Sequence, residues 1–149
     1  MADQYQHYEV ERLVTPNVQA LVLVINTPGS EVTVANCYRS PSASRSEDLE
    51  LVSLLGRVAE SSMRILILGD FNAPEVDWDC TTAPRGSFGE LLLEFTLGKT
   101  LVQHVHHNTR WRVGQTSSIL DLVVTKSPCE VEELEILEPL GRSGHGVIR

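Results

Sequence analysis

Residues 64–72 read RILILGDFN and join a short apolar run to a tight polar turn. The Ile and Leu residues at 65–68 predict a buried β-strand, whose end would be held rigidly at the rim of a sheet. Asp70 and Asn72, two residues apart at that rim, can converge on one phosphate, with Asp70 activating a water and Asn72 orienting it. Gly-Asp-x-Asn is also good turn chemistry, and the tetrapeptide alone favours a simple turn.

Strands and helices are predicted on both sides of this segment. Residues 18–25 (VQALVLVI) and 31–39 (EVTVANCYR) form a predicted hairpin around the Pro-Gly turn at 27–30. Helices are predicted over 46–60 and 87–97. Each begins at a capping-box pair, Ser44 with Glu47 and Ser87 with Glu90. Further strands are predicted at 101–105, 118–125 and 131–137. The pattern indicates a layered α/β fold with a mixed sheet.

The composition suits one globular domain. The chain has 149 residues, of which 42% are hydrophobic and 21% charged, which excludes a disordered polar chain. We predict a polar leader over residues 1–17 and a domain over 18–149. The leader lacks the apolar core of a secretory signal, and no apolar run approaches the roughly 20 residues that a membrane helix needs. No membrane partner is therefore expected.

The cysteines and the charge balance point to an intracellular protein without an obvious nucleic-acid surface. Cys37, Cys80 and Cys129 are far apart and form no CxxC pair, which disfavours a disulfide framework or a zinc site. We expect a reducing, intracellular and non-secreted setting, with the nucleus left open. The net charge of −8 counts weakly against a nucleic-acid binder, unless a local basic patch or a partner domain holds the nucleic acid.

Three further places carry chemistry-bearing residues. Asp121 interrupts the apolar strand SILDLVVT, where a buried carboxylate needs a partner; a solvent-facing position is the alternative. His145 lies between two glycines and would be oriented by a neighbouring carboxylate, although an ordinary loop histidine is the simpler reading. Tyr38 and Arg39 end a strand and can both contact phosphate, or Arg39 can merely be solvated.

Four separated motifs occur in one order: YRSP (38–41), ILGDFNAPEVDW (67–78), SILDLVVT (118–125) and LGRSGH (140–145). This series resembles the endonuclease/exonuclease/phosphatase superfamily. The connecting stretches, including LVQHVHHNTRWR (101–112), are similar to the endonuclease domain of non-LTR retrotransposon polyproteins. The resemblance implies part of a four-layer α/β sandwich with mixed sheets. It also implies Mg²⁺-dependent phosphodiester hydrolysis that nicks target DNA, beside a reverse transcriptase domain of the same polyprotein.

The resemblance also implies roles for matching residues. Tyr38 matches the tyrosine near the phosphate, Asp70 the aspartate that activates water, and Asn72 the asparagine that helps to position it. Asp121 matches the carboxylate that pairs with the family histidine, here His145.

Two departures from the family pattern concern the metal ligands. The family's N-terminal half, with an Asn motif and a metal-binding Glu, has no match in the 17 residues before the first matching strand. The Ser-Asp-His triplet of the family carries Gly144 in the middle. We therefore assign no metal ligand from the sequence and expect a truncated, impaired enzyme. The alternative is a catalytically inactive remnant that acts at most as a binding module.

Other assignments have less support in the sequence. His104, His106 and His107 form a cluster, but no acidic or Cys ligand is near them in the sequence. A metallophosphoesterase would need an Asp-x-His near its start, which is absent here. A phosphoinositide phosphatase of the same superfamily is a weaker rival, because the connecting stretches resemble retrotransposon sequences.

Overall fold

A mixed six-stranded sheet organises the chain. The computed structural model describes residues 6–111 and 113–149. Its elements, in chain order, are β1 (Gln6–Val14), β2 (Val18–Thr27), β3 (Ser30–Arg39), α1 (Arg45–Ser61), β4 (Ile65–Asp70), α2 (Phe88–Gly98), β5 (Val102–Gln103), β6 (Asp121–Thr125), a 3-10 turn (Pro128–Glu130), β7 (Ile136–Leu137) and β8 (Val147–Ile148). The large sheet has the order β1-β2-β3-β4-β6-β5, and β7 pairs with β8 in a small second sheet.

The strand directions follow from the connections. The tight turn between β2 and β3 gives the predicted antiparallel hairpin. The crossover through α1 then makes β4 parallel to β3, because a parallel partner needs a long connection. β6 lies antiparallel to β4. The expected α/β fold with a mixed sheet is confirmed.

One face of the sheet is buried under the two helices. Alternate residues of the central strands point to this face, including Val22, Ala35, Ile67 and Leu122, each exposed by 2% or less. They pack against apolar side chains of the helices, namely Leu51, Leu54, Leu55 and Val58 of α1 and Phe88, Leu92 and Phe95 of α2. Burying a Leu or Ile fully stabilises the fold by roughly 1.5–3 kcal/mol, so this layer is the core.

The cap of α1 ties the helix to the sheet. The predicted capping box is present, with the Ser44 side chain accepting from the Glu47 amide and Glu47 accepting from the Ser44 amide. Glu47 also accepts from Thr15 Oγ1 at 2.7 Å and from the Asn17 amide at 3.1 Å. These hydrogen bonds, led by that of the Ser44 amide, lower the pKa of Glu47 to about 2. At α2 only half of the predicted box forms, because Glu90 turns instead to the Gly86 amide.

The edges of the sheet differ from the sequence prediction. Residues 6–14, within the predicted polar leader, form β1, whose Tyr8 and Val10 side chains are exposed. An edge strand exposed in this way lacks the alternating pattern that identifies a half-buried strand. Of the strand predicted at 131–137, only Ile136–Leu137 pairs. No described helix combines the length and apolar character required to cross a membrane.

Candidate active site

A row of polar side chains crosses the sheet face that lies opposite the helices. Tyr38 of β3 is in register with Asp70 of β4, and Asp70 is in register with Asp121 of β6. Their chain neighbours Cys37 and Leu122 point into the core, so the row itself must point away from it. Side chains of register partners lie next to each other on a sheet. Three strands that are distant in sequence therefore bring a phenol and two carboxylates together.

Gly69 allows this close approach of β3 and β4. Its φ is +135°, and a Cβ at this position would lie 1.8 Å from the Cys37 carbonyl oxygen. No other residue fits there, because the contact would be with backbone and not with a flexible side chain. The glycine before Asp70 is thus a structural requirement of the strand end that carries the carboxylate.

Asn72 closes the turn after β4. It adopts a left-handed conformation with φ +44°, which Asn tolerates better than most residues. Its backbone amide donates to Asp70 Oδ1 at 3.1 Å, and its side-chain Nδ2 donates to the Arg39 carbonyl at 2.8 Å. In this structure the Asn72 side chain therefore fixes the turn against β3, in agreement with the turn reading of GDFN.

His145 lies between the two carboxylates. Its Nδ1 is 2.9 Å from Asp121 Oδ2, and its Nε2 is 3.8 Å from Asp70 Oδ2. All three side chains are half-buried, with exposures of 18% for Asp70, 19% for Asp121 and 30% for His145. The hydrogen bond to Asp121 orients the imidazole. The structure thus brings together the aspartate and histidine that the sequence pattern paired.

The environment of Asp70 strengthens it as a base. Burial and the negative charge of Asp121 raise the pKa of Asp70, against the hydrogen bond from the Asn72 amide and the charges of His145 and Arg110. A carboxylate with a raised pKa holds a proton more tightly and accepts one from water more readily.

The same three side chains can hold a cation. Ligand atoms of Asp70, Asp121 and His145 all lie within 4.8 Å of one another. Two carboxylates suit a hard divalent ion that keeps several waters, such as Mg²⁺. The imidazole is a softer ligand that suits transition metals better, and here Asp121 already occupies its Nδ1. The sequence assigns no metal ligand, because the N-terminal Glu of the family has no match and Gly144 stands where the family pattern has an Asp; the pairing of β4 with β6 brings these three side chains together.

The Arg39 guanidinium does not reach this cluster. It is 6% exposed and forms a double ion pair with Asp48 of α1, at 2.6 and 3.1 Å. It also stacks over the Phe88 ring at 3.9 Å and donates to the Asn72 carbonyl at 3.2 Å. Because Arg39 follows Tyr38 in a strand, its side chain points to the helix-covered face.

The segment around Thr109 contributes contacts that the sequence did not indicate. Thr109 is fully buried, and its Oγ1 accepts from the amides of Leu120 and Asp121, both at 3.1 Å. Arg110 forms backbone bridges to Ser118 and to His145. Neither residue has a local sequence signal.

The histidine cluster of the sequence does not form a metal site. His104 contacts Thr125 Oγ1 at 2.7 Å, while His106 and His107 are exposed and belong to no metal-ligand group of the described residues.

A family model described as endonuclease-reverse transcriptase matches residues 32–149. No curated protein sequence gives a significant match. Among solved structures, the chain is similar to the endonuclease domain of TRAS1, a telomere-specific non-LTR retrotransposon, with a TM-score of 0.72 and 16% identity over 97% of this chain and 65% of that one.

Two other solved structures are similar to this chain at lower identity. The synaptojanin inositol polyphosphate 5-phosphatase domain gives a TM-score of 0.60 with 11% identity over 97% of this chain and 54% of that one. A humanized D. rerio TDP2 gives 0.54 with 11% identity, over 96% and 63%. At these identities the matches establish the shared fold. This chain spans less than two thirds of each of the three.

Proposed function

This chain belongs to the endonuclease–reverse transcriptase family, and on that premise we propose that it is a metal-dependent DNA endonuclease that hydrolyses phosphodiester bonds. The observation that carries the proposal is the position of His145 between Asp70 and Asp121, at 3.8 and 2.9 Å. A base, an acid and an orienting carboxylate on one open sheet face form a set that suits hydrolysis of a phosphodiester.

Asp70 is the proposed general base. Its raised pKa suits removal of a proton from a water molecule that attacks phosphorus. Asn72 holds the backbone turn that fixes Asp70, through its amide contact to Asp70 Oδ1 and its side-chain contact to the Arg39 carbonyl. Arg39 supports the same turn from the helix-covered side of the sheet, by donating to the Asn72 carbonyl. Its predicted role as a phosphate ligand becomes a proposed role in positioning this turn.

His145 and Tyr38 are the proposed donors to the phosphoryl oxygens. The Asp121 carboxylate keeps the imidazole oriented so that Nε2 faces the site, where an imidazolium N–H would stabilise negative charge that builds up in the transition state. Tyr38 is 47% exposed and lies beside Asp70 in the sheet. Its hydroxyl can donate to the same phosphate without any change in the backbone of β3.

Asp70 and Asp121 would hold a hydrated Mg²⁺ through its water molecules, which leaves the Asp70 carboxylate free to accept a proton. When bound, the ion supplies positive charge to the phosphoryl group and lowers the pKa of a bound water. Gly144 offers no carboxylate at the position where the family resemblance implies one. We therefore expect weak ion binding and slow turnover compared with a site that has the full set of acidic ligands.

A catalytically inactive binding module is the second candidate. The missing carboxylate at Gly144 favours it, since Mg²⁺ bound by two side chains is held weakly. In either case we propose DNA as the partner and a reverse transcriptase domain as the companion activity, in keeping with the family description. An endonuclease in that setting would nick target DNA and provide a 3′-hydroxyl for reverse transcription.

Nicking of supercoiled plasmid by the purified chain tests the proposal. We expect nicking that requires Mg²⁺ and falls by about 10²–10⁴-fold in Asp70→Asn, as for loss of a general base. The matched control is Asp79→Asn, which makes the same chemical change at an exposed site and should nick like the unmodified chain. A folded chain that never nicks supports the inactive module. Release of inorganic phosphate from inositol phosphates, without nicking, would contradict both candidates.

A further inference from the structure

Arg110 lies directly opposite His145 in an antiparallel pairing. The Trp111 amide donates to the Gly144 carbonyl at 2.8 Å, and the Gly146 amide donates to the Thr109 carbonyl at 2.7 Å. These two bonds flank the pair formed by Arg110 and His145, so this pair is of the non-hydrogen-bonded type. Side chains of such pairs project to the same side and approach more closely than in the other type. The Arg110 side chain therefore starts next to the imidazole.

A second pairing holds Arg110 from its other side. The Arg110 amide donates to the Ser118 carbonyl at 3.1 Å, and the Ser118 amide donates back at 3.3 Å. Thr109 anchors the same segment to the start of β6 through the Leu120 and Asp121 amides. The backbone of Arg110 is thus fixed between the strand that carries Asp121 and the loop that carries His145.

Among the described residues, no carboxylate forms an ion pair with the guanidinium of Arg110. Its Nε is buried and makes no hydrogen bond to any described residue, and within residues 6–111 and 113–149 the group forms no ion pair. Arg39, by contrast, is satisfied by Asp48, and Arg57 by Glu11. A buried donor left unpaired destabilises the fold. Because Nε is closed to solvent, an anionic ligand would have to be bound by the terminal nitrogens of this guanidinium.

We propose that Arg110 is a further substrate-binding residue, which binds the phosphodiester anion beside Asp70, Asp121 and His145. This assignment rests on the proposed function of the same site. The two carboxylates repel an anionic substrate, and one fixed guanidinium offsets part of that repulsion before and during hydrolysis. The influence of the Arg110 charge on Asp70 agrees with this placement.

Binding of a short DNA duplex without divalent metal tests the assignment separately from cleavage. We expect Arg110→Gln to weaken binding about 10–100-fold, as for loss of a charge-assisted hydrogen bond. The slope of log affinity against log salt should decrease by about one, the value for one phosphate contact. Arg110→Lys should keep the slope. The control Arg57→Gln removes the same charge from an exposed site on α1 and should change neither quantity.

The outcomes separate the two proposals. Binding that depends on Arg110, without Mg²⁺-dependent nicking, would leave the assignment standing and overturn the endonuclease proposal. Nicking whose KM is equal in Arg110→Gln and Arg57→Gln would overturn the assignment and leave the endonuclease standing. A folded chain with no duplex binding also overturns the assignment. Thermal unfolding of each variant checks folding, and Arg110→Lys remains informative where Arg110→Gln is unfolded.

Discussion

The two faces of the central sheet are formed by the same apolar strands but have different surroundings. On one face, Ile67 and Leu122 are almost completely buried beneath α1 and α2. On the other face, the adjacent residues of the same strands, Leu68 and Asp121, are only half-buried. The helix-covered face supplies the packed core of the described chain. The open face carries the row of Tyr38, Asp70 and Asp121.

The two faces also differ in how they accommodate charged side chains. On the helix-covered side of the sheet, the Asp48 carboxylate of α1 is 6% exposed and is neutralised by Arg39 of β3. The carboxylates on the open face lie opposite each other in register, where like charges destabilise a sheet. Sites that bind charged substrates commonly keep such unfavourable arrangements at the expense of stability.

The largest expected effect is on the buried ion pair of the helix-covered face. Asp48→Asn leaves the Arg39 guanidinium buried without its counter-charge, which we expect to lower the free energy of unfolding by about 3–5 kcal/mol. Asp121→Asn, the same change on the open face, should lower it by much less and abolish nicking. Chemical denaturation of both variants measures the two losses. Similar losses would show that the two faces are not divided between stability and chemistry.

A smaller effect is expected from truncating apolar neighbours on opposite faces of β4. Ile67→Ala should lower the free energy of unfolding by about 2–5 kcal/mol, because it leaves a closed cavity. Leu68→Ala should lower it by roughly 1–2 kcal/mol, since a half-buried side chain leaves no enclosed void. If both variants lost the same free energy of unfolding, and the loss in Leu68→Ala grew with protein concentration, another copy of the chain would be covering the open face in solution. Sedimentation would detect such a dimer.

Most strands and both described helices were predictable because their patterns are local. The hairpin of β2 and β3 follows from two β-branched runs around a Pro-Gly turn, and the start of α1 follows from Ser44 and Glu47. β1 was missed because its exposed Tyr8 and Val10 do not produce a buried alternation. The run VQALVLVI predicts burial on both faces of β2, yet helices cover only one of them.

The arrangement of the candidate site was predictable only through family resemblance. No local pattern shows that Tyr38, Asp70 and Asp121 share one row, because that row depends on the order and register of three strands. The burial of Arg39 does follow from alternation, since Tyr38 and Arg39 are consecutive strand residues and must face opposite sides. Arg110 gave no signal, because its position depends on pairings with Ser118 and His145.

The smallest expected effect is a gain in stability on the open face. Asp70→Asn removes one of two facing carboxylates, and we expect the free energy of unfolding to rise by about 0.2–1 kcal/mol at neutral pH. The pKa of Asp70 is raised above its ordinary value of 3.8, chiefly by burial and then by Asp121. Ionisation of Asp70 therefore destabilises the fold as pH rises through this window. Below the ordinary value, the side chain is protonated in both the folded and the unfolded chain, and the advantage of Asn should disappear.

Unfolding curves of the unmodified chain and of Asp70→Asn between about pH 3 and pH 8 measure this difference in stability. A constant difference across that range would mean that Asp70 is not strained by its neighbours. A loss of stability at neutral pH would mean that its carboxylate contributes to the fold as Asp48 does.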